Sequence, residues 1–199
     1  MPECIQCGAH SDYEKGLCLP CYHARKNAET TANGSNGLDE KQRQYRYGMI
    51  NGRIAETLIQ ELFLSLGYNV FRFGMENTIP GIMDLLKGVR SDVAQEIRRM
   101  PDFVMQNPKS KDVYFIEVKF RANGSFAAKD LPKDYPYSNA YIVLVSKKHI
   151  KCITVEELLA GKEITPTSIN YLGSRKEFDL DKKVIIDFCD FAIKFFDNV

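Results

Sequence analysis

The sequence has no excess of charge of one sign, no long apolar run and no opening segment typical of a secretion signal. Its 27 basic and 26 acidic side chains give a formal net charge of +1, so any surface for a polyanion must be local. No apolar stretch approaches the about 20 residues that a membrane-spanning helix needs, and the first four residues are too polar for a signal peptide. We therefore expect a globular, cytoplasmic protein in a reducing compartment, without a membrane partner.

What the sequence does contain is a dense group of cysteines near one end. Four of its six cysteines form two Cys-x-x-Cys pairs separated by ten residues, Cys4/Cys7 and Cys18/Cys21. This spacing is typical of a structural Zn²⁺ held by four thiolates, as in a zinc ribbon, a treble clef or another zinc finger. Disulfides would require an oxidising compartment, for which the sequence has no signal, so zinc is favoured over crosslinks.

The predicted zinc module has a complete ligand set. Four cysteines fill a tetrahedral site, so His10 and His23 are not needed as ligands and a catalytic zinc is not expected. Modules of this kind bind nucleic acid, bind protein or only brace a fold. The sequence leaves these three roles open.

Composition divides the chain into three segments. We assign residues 1–27 to the zinc module, 28–47 to a linker and 48–199 to the main domain. Within the linker, residues 28–38 are rich in Gly, Asn, Ser and Thr and have no hydrophobic periodicity, which is typical of a flexible tract.

The main domain is predicted to be α/β, because helical and strand-like patterns alternate along it. An apolar stripe predicts a helix from residue 49 that ends at Gly67, and a second stripe predicts a helix over 184–196. Residues 79–100 look helical with a break near Gly88 and a cap at Ser91, and Thr154 is expected to cap a short helix. Strands are predicted at 68–73, 103–105, 113–120 and 140–146, the second and third forming a hairpin.

Two charged residues lie within one of these apolar strands. Glu117 and Lys119 are two positions apart in the run VYFIEVKF, so their side chains would share one face, about 6 to 7 Å apart. Taken alone, this triplet also fits a solvated strand face, and the two groups could simply pair with each other. Asp102, which opens the preceding strand, would add a second carboxylate across the hairpin. Adjacent carboxylates among apolar neighbours favour a bound cation.

Together, Pro101-Asp102 and Glu117-Val118-Lys119 resemble the motif of the PD-(D/E)XK nuclease superfamily. The resemblance implies that Asp102, Glu117 and the backbone carbonyl of Val118 hold Mg²⁺ or Mn²⁺, and that Lys119 orients or activates the attacking water. Hard cations of this type prefer oxygen ligands, and phosphodiester hydrolysis needs an activated water and neutralised phosphate charge. Lys119 would act as a base only if its pKa were lowered; otherwise it positions water and stabilises charge.

The resemblance covers residues 49–146 and implies a restriction-endonuclease-like fold, with a mixed central sheet flanked by helices. It also implies a third acidic residue on the preceding helix, for which Glu56 is the candidate, with Gln60 one turn further on. On a helical wheel Glu56 borders the apolar face. An ordinary boundary glutamate explains that position equally well.

The implied function is that of a Mg²⁺-dependent endonuclease acting on DNA, either restriction-like or junction-resolvase-like. Candidate nucleic-acid contacts are Arg53, Arg121 and Lys129, although a solvated loop explains the last two as well. A homodimer is the oligomer we consider, because cutting both strands at once needs two sites. The alternative function is a non-catalytic nucleic-acid- or protein-binding adaptor built on a nuclease fold with a zinc module.

Overall fold

The structure, a computed structural model, describes residues 3–9, 16–32, 37–74, 82, 86 and 88–197. Contacts divide the chain into two units, Met1–Arg46 and Tyr47–Val199, and each is described by itself. The division falls within the long helix α2 (Glu40–Ser65). In the described residues no helix is both long enough and apolar enough to cross a membrane.

The first unit contains the two cysteine pairs and helix α1 (Leu19–Ala32). Its small buried cluster consists of Cys4, Leu17 and Cys18. The predicted flexible tract over residues 28–38 is helical as far as residue 32, and α2 begins at residue 40; residues 33–36 lie outside the described residues. Helices also form without hydrophobic periodicity where a local cap supports them, and the assignment of residues 28–47 to a linker stays a prediction.

Such a cap starts α2, whose first eleven residues are exposed. The backbone N–H of Gln42 donates to the Asp39 carboxylate at 2.7 Å, and the Gln42 side chain accepts from the Asp39 N–H at 3.4 Å. This reciprocal pair satisfies donors that a helix N-terminus otherwise leaves without partners. The helix therefore begins nine residues before the apolar stripe that predicted it.

The second unit is built on one mixed sheet. The described strands are β1 (Asn69–Arg72), β2 (Phe103–Gln106), β3 (Val113–Phe120), β4 (Tyr141–Val145) and β5 (Ile150–Thr154), in the order β1-β2-β3-β4-β5. Neighbours are antiparallel except β3 and β4, which are parallel. The mixed α/β architecture expected from the sequence is therefore present, with a fifth strand, β5, that the sequence did not predict.

The two faces of the sheet carry different side chains because successive residues of a strand point to opposite sides. On one face, Ile116 and Val118 pack with the apolar stripe of α2 and with α5 (Lys182–Phe196) in the main core. On the other face, Phe115 packs against a second cluster around Ile142 and Leu144. Glu117 and Lys119 have the same strand parity as Phe115, so they project from this second face.

Two short helices follow their predicted caps. Ser91 accepts from the Ala94 N–H at 3.3 Å and starts α3 (Asp92–Arg98). Thr154 and Glu157 form a capping box at the start of α4 (Val155–Leu159). The rest of the helical stretch predicted before Gly88 lies mostly outside the described residues. Gly67, with φ +82°, ends α2 as expected, because this left-handed conformation favours glycine.

Candidate functional site

Asp102 is fixed in the sheet immediately before β2. Phe103 lies opposite Ile116, so the same register sets Asp102 opposite Glu117. One carboxylate oxygen of Asp102, Oδ2, accepts from the Val118 N–H at 2.7 Å. Its backbone carbonyl accepts from Phe73 N at 2.9 Å. Asp102 is 6% exposed, so backbone and side-chain hydrogen bonds together hold a carboxylate at a buried position.

Glu117 and Lys119 form an ion pair on β3, with side chains 13% and 31% exposed. Burial lowers the pKa of Lys119, but the charges of Glu117 and Asp102 and the hydrogen bond to Glu117 outweigh it and raise that pKa. Lys119 is therefore a stable cation in this arrangement. Two carboxylates and one ammonium group lie together on one face of the sheet.

The structure adds Tyr135, which the sequence did not single out. Its hydroxyl oxygen is buried and has no hydrogen-bond partner among the described residues. Burial first, and then the negative charges of Glu117 and Asp102, raise the pKa of Tyr135. The charges of both carboxylates therefore act on this hydroxyl, and a buried hydroxyl normally has a partner.

Contacts of the β3–β4 connection hold Tyr135 in place. Arg99, at the end of α3, donates to the backbone carbonyl of Asp134 at 3.2 Å. The Tyr135 ring lies 5.8 Å from that of Tyr137, which is 5.2 Å from the ring of Phe115 on β3. The ring also packs against the cluster around Ile142 and Leu144, so contacts between residues distant along the chain hold the tyrosine. The sequence signal was limited to the two tyrosines of Tyr-Pro-Tyr, in a connection without hydrophobic periodicity.

The other predicted acidic residue is not in a compact group with these two. Within the residues that the structure describes, the one cluster of at least three converging cysteine, histidine or acidic side chains is that of the four cysteines. Glu56 is half-buried on α2, and its role as a third acidic group stays a prediction. Gln60, its predicted helper, accepts a hydrogen bond from Arg72 at 3.0 Å and so has a structural partner on β1.

The predicted nucleic-acid contacts lie in three different places. Arg53 is exposed on α2, beside an apolar groove lined by that helix and α5. Arg121 directly follows β3, is exposed, and its charge acts to lower the pKa of Lys119, which places it near that group. Lys129 is exposed in the 3-10 turn Ala128–Asp130. Of the three, Arg121 is the one whose charge reaches the carboxylate site.

The four N-terminal cysteines converge. Their sulfur atoms all lie within 4.8 Å of one another, and Cys7 Sγ is 3.6 Å from Cys18 Sγ. In a tetrahedral zinc site with Zn–S bonds of about 2.3 Å, neighbouring sulfurs are about 3.8 Å apart. All four are free thiols, so these cysteines could bind a metal such as zinc.

The electrostatics of the cluster are consistent with a metal. A backbone hydrogen bond from Cys18 holds the pKa of Cys4 at about 6. Hydrogen bonding with the Cys7 and Cys18 side chains raises the pKa of Cys21 to about 12. Because like charges crowd the cluster, a dication is needed for all four sulfurs to bind as thiolates at neutral pH. Gly8 (φ +73°) and Gly16 (φ +70°) supply the left-handed backbone beside the two pairs.

The sequence was also compared with known proteins. No protein-family model matches it, and no curated protein matches it either.

Proposed function

We propose that this protein is a metal-dependent nuclease that hydrolyses phosphodiester bonds in DNA, with Mg²⁺ or Mn²⁺ at the carboxylate site. The observation that carries the proposal is the meeting of Asp102, Glu117 and Lys119 on one sheet face. The resemblance of these residues to the PD-(D/E)XK motif supports the same reaction and the finer, restriction-endonuclease-like assignment of the fold.

The side chains present fit a hard divalent cation. Asp102 and Glu117 supply carboxylate oxygens, the ligand type that Mg²⁺ prefers, and both are largely buried. The buried Tyr135 hydroxyl has no protein partner in the described part of the chain, so it can donate to a bound water or a phosphate oxygen. When bound, the cation would lower the pKa of a water and neutralise charge on phosphate.

The protein groups have distinct roles in this proposal. The Val118 N–H holds the Asp102 carboxylate in one orientation, which prepares a ligand before the metal arrives. Lys119 remains partly exposed at the mouth of the site, so its ammonium group can contact the phosphate and stabilise its developing charge. The carbonyl of Val118 completes the proposed ligand set, and Glu56 is an additional candidate from α2.

Zinc is the metal proposed for the four cysteines. Soft thiolates select zinc over magnesium, and a four-sulfur set leaves no open position for catalysis. Because the buried cluster among the described residues of the first unit holds only three of them, the ion would supply much of that unit's stability. This is a structural role, separate from the carboxylate site.

The proposal is tested by incubating the full chain with plasmid, branched and single-stranded DNA plus Mg²⁺ or Mn²⁺. Variants Glu117→Gln and Lys119→Met remove one charge each with little change in volume. Glu163→Gln is the matched control, because Glu163 is exposed and has no role in the site. Cleavage by wild type and by the control, with a loss of about 100-fold or more in both site variants, supports the proposal.

The adaptor alternative predicts a different result. If wild type and all variants bind DNA but none cleaves it with either metal, the carboxylate site is not catalytic. Zinc content measured on the same samples shows whether the N-terminal module is loaded. An inactive sample with full zinc content would refute the nuclease proposal and favour an adaptor.

A further inference from the structure

A pocket with no acidic residue lies where β3 and β4 end. Its volume is about 380 Å³, and four of its nine lining residues are lysine or histidine. The chain as a whole carries a net charge of only +1, so this is a local concentration of positive charge. The basic members come from the β4–β5 turn and from β5: Lys147, Lys148, His149 and Lys151.

Lys151 is the buried cation of this pocket. The residue is 2% exposed, and its ammonium group donates to the backbone carbonyls of Thr165 at 2.7 Å and Pro166 at 3.0 Å. No carboxylate forms an ion pair with it in the part of the chain that is described. The Tyr171 ring lies 5.5 Å from the ammonium group, and neither this ring nor the two carbonyls carries the negative charge with which buried cations are normally paired. The pocket therefore has a place for an anion.

The wall and the turn of this pocket are fixed before any ligand binds. Ser146 Oγ donates to the carbonyl of His149 at 3.0 Å and accepts from its N–H at 3.1 Å, which closes the turn carrying the basic residues. Gly124 has φ +65°, and a Cβ there would lie 3.7 Å from Ser146 Cβ. Burial lowers the pKa of His149, and the positive charges of Lys151 and Lys148 lower it further, as expected where positive charges are close.

The sheet register relates this pocket to the carboxylate site. Lys119 pairs with Leu144 on β4, and Leu144 pairs with Lys151 on β5. The three residues form one row on the second face of the sheet. Since neighbouring strands are about 4.8 Å apart, the Cα atoms of the two lysines are about 10 Å apart. One nucleic-acid strand can therefore reach both places.

We propose that the Lys151 pocket binds a phosphate of the nucleic-acid backbone, on the strand whose neighbouring phosphodiester is cut; this rests on the proposed nuclease function. Lys148, exposed at the rim, contacts the same phosphate from outside. The recognised chemistry is a phosphate group and not a base, so the pocket contributes affinity and register without sequence preference.

The test measures DNA binding separately from cleavage. Fluorescent duplex and single-stranded DNA are titrated with the full chain in Ca²⁺, over a range of salt concentrations. The variants are Lys151→Met, which keeps the aliphatic stem, and Lys148→Gln, which changes only an exposed side chain. Lys109→Gln is the matched control, because Lys109 is exposed in the β2–β3 turn at the opposite end of β3.

We expect both pocket variants to bind about 10-fold or more weakly, with no change in the Lys109→Gln control. The slope of log affinity against log salt concentration should fall by about 1, the effect of losing one phosphate contact. Melting curves show whether Lys151→Met folds as wild type does. Lys148→Gln then decides the question, since an exposed substitution does not disturb the core.

Other outcomes separate the pocket from the nuclease proposal. Pocket variants that match wild type in affinity and salt slope, while wild type cleaves DNA, would overturn the pocket alone. Pocket-dependent binding by a wild-type protein that never cleaves would support the pocket and count against the nuclease. A parallel titration with inorganic phosphate completes the design: binding of free phosphate without DNA binding would overturn the backbone assignment.

Discussion

Replacing Asp102 in two ways separates its structural role from its proposed metal-binding role. Asp102→Ala removes the acceptor of the buried Val118 N–H, and an unsatisfied buried donor costs about 1 to 3 kcal/mol. Asp102→Asn keeps an acceptor oxygen and removes only the charge. Relief of repulsion with Glu117 and lost attraction to Lys119 oppose each other, so we expect its stability to stay within about 1 kcal/mol of wild type.

Magnesium should then distinguish Asp102→Asn from wild type. At a concentration of ten times its dissociation constant, a ligand that binds only the folded state stabilises it by about 1.4 kcal/mol. For a domain of this size, that corresponds to an increase of about 3 to 6 °C in melting temperature. We expect this shift in wild type and not in Asp102→Asn, together with a loss of cleavage of about 100-fold or more.

Melting followed by circular dichroism, with and without Mg²⁺, measures the first effect, and cleavage of plasmid DNA measures the second. The reasoning would be refuted if Mg²⁺ stabilised Asp102→Asn as much as wild type, or if this variant cut DNA at the wild-type rate. Loss of activity in Asp102→Ala alone would prove little, because that variant also disturbs the ladder between β2 and β3.

Three further predictions concern other parts of the chain. Burial raises the pKa of Glu157, but its hydrogen bond from Arg175 outweighs burial and lowers that pKa to about 2. The resulting stabilisation is present above about pH 4.5 and is lost as the pH falls towards 2. In urea unfolding, wild type should therefore lose about 1 kcal/mol more than Glu157→Gln between pH 7 and pH 3. Equal losses would contradict this. Tyr135→Phe should not destabilise the protein, because it removes a buried hydroxyl without a described partner. It should slow cleavage about 10-fold, whereas Tyr137→Phe should leave the cleavage rate unchanged. Unchanged cleavage kinetics in Tyr135→Phe would exclude Tyr135 from the site. Cys18→Ser should lower the zinc content from one ion per chain to well below one, as measured by atomic absorption, and should weaken the helical circular dichroism signal. Retention of one zinc ion per chain would exclude a four-cysteine site.

Local patterns predicted much of the second unit. The apolar stripe of α2 predicted a helix because its buried positions recur at the helical period, and Ala55, Ile59 and Leu62 are fully buried. The turn between β2 and β3 is short, so the hairpin register, and with it the position of Asp102 opposite Glu117, followed from nearby residues. The cysteine cluster was predictable for the same reason, since the spacing within each pair is local.

Features that depend on distant contacts were not predictable in this way. Strand β5 has the sequence IKCIT, and a lysine in its interior contradicts the pattern of a buried strand. Lys151 becomes buried because carbonyls of Thr165 and Pro166 accept its hydrogen bonds, and nothing in the strand itself indicates them. Tyr135 likewise lies in an aperiodic connection and reaches the carboxylates through contacts with other elements. The helical wheel gave the direction of Glu56 around α2 but not its distance from the sheet.

The row formed by Lys119, Leu144 and Lys151 indicates where this fold can accept inserted residues and where it cannot. Its alignment is maintained by ladder pairing, so added residues in the exposed 3-10 turn Ala128–Asp130 would leave both lysines where they are. One residue inserted between Ile150 and Lys151 would instead turn Lys151 towards α2 and α5, because alternate positions face opposite sides. Length variation among natural or engineered versions of this fold should therefore concentrate in the connection and be absent from the strands.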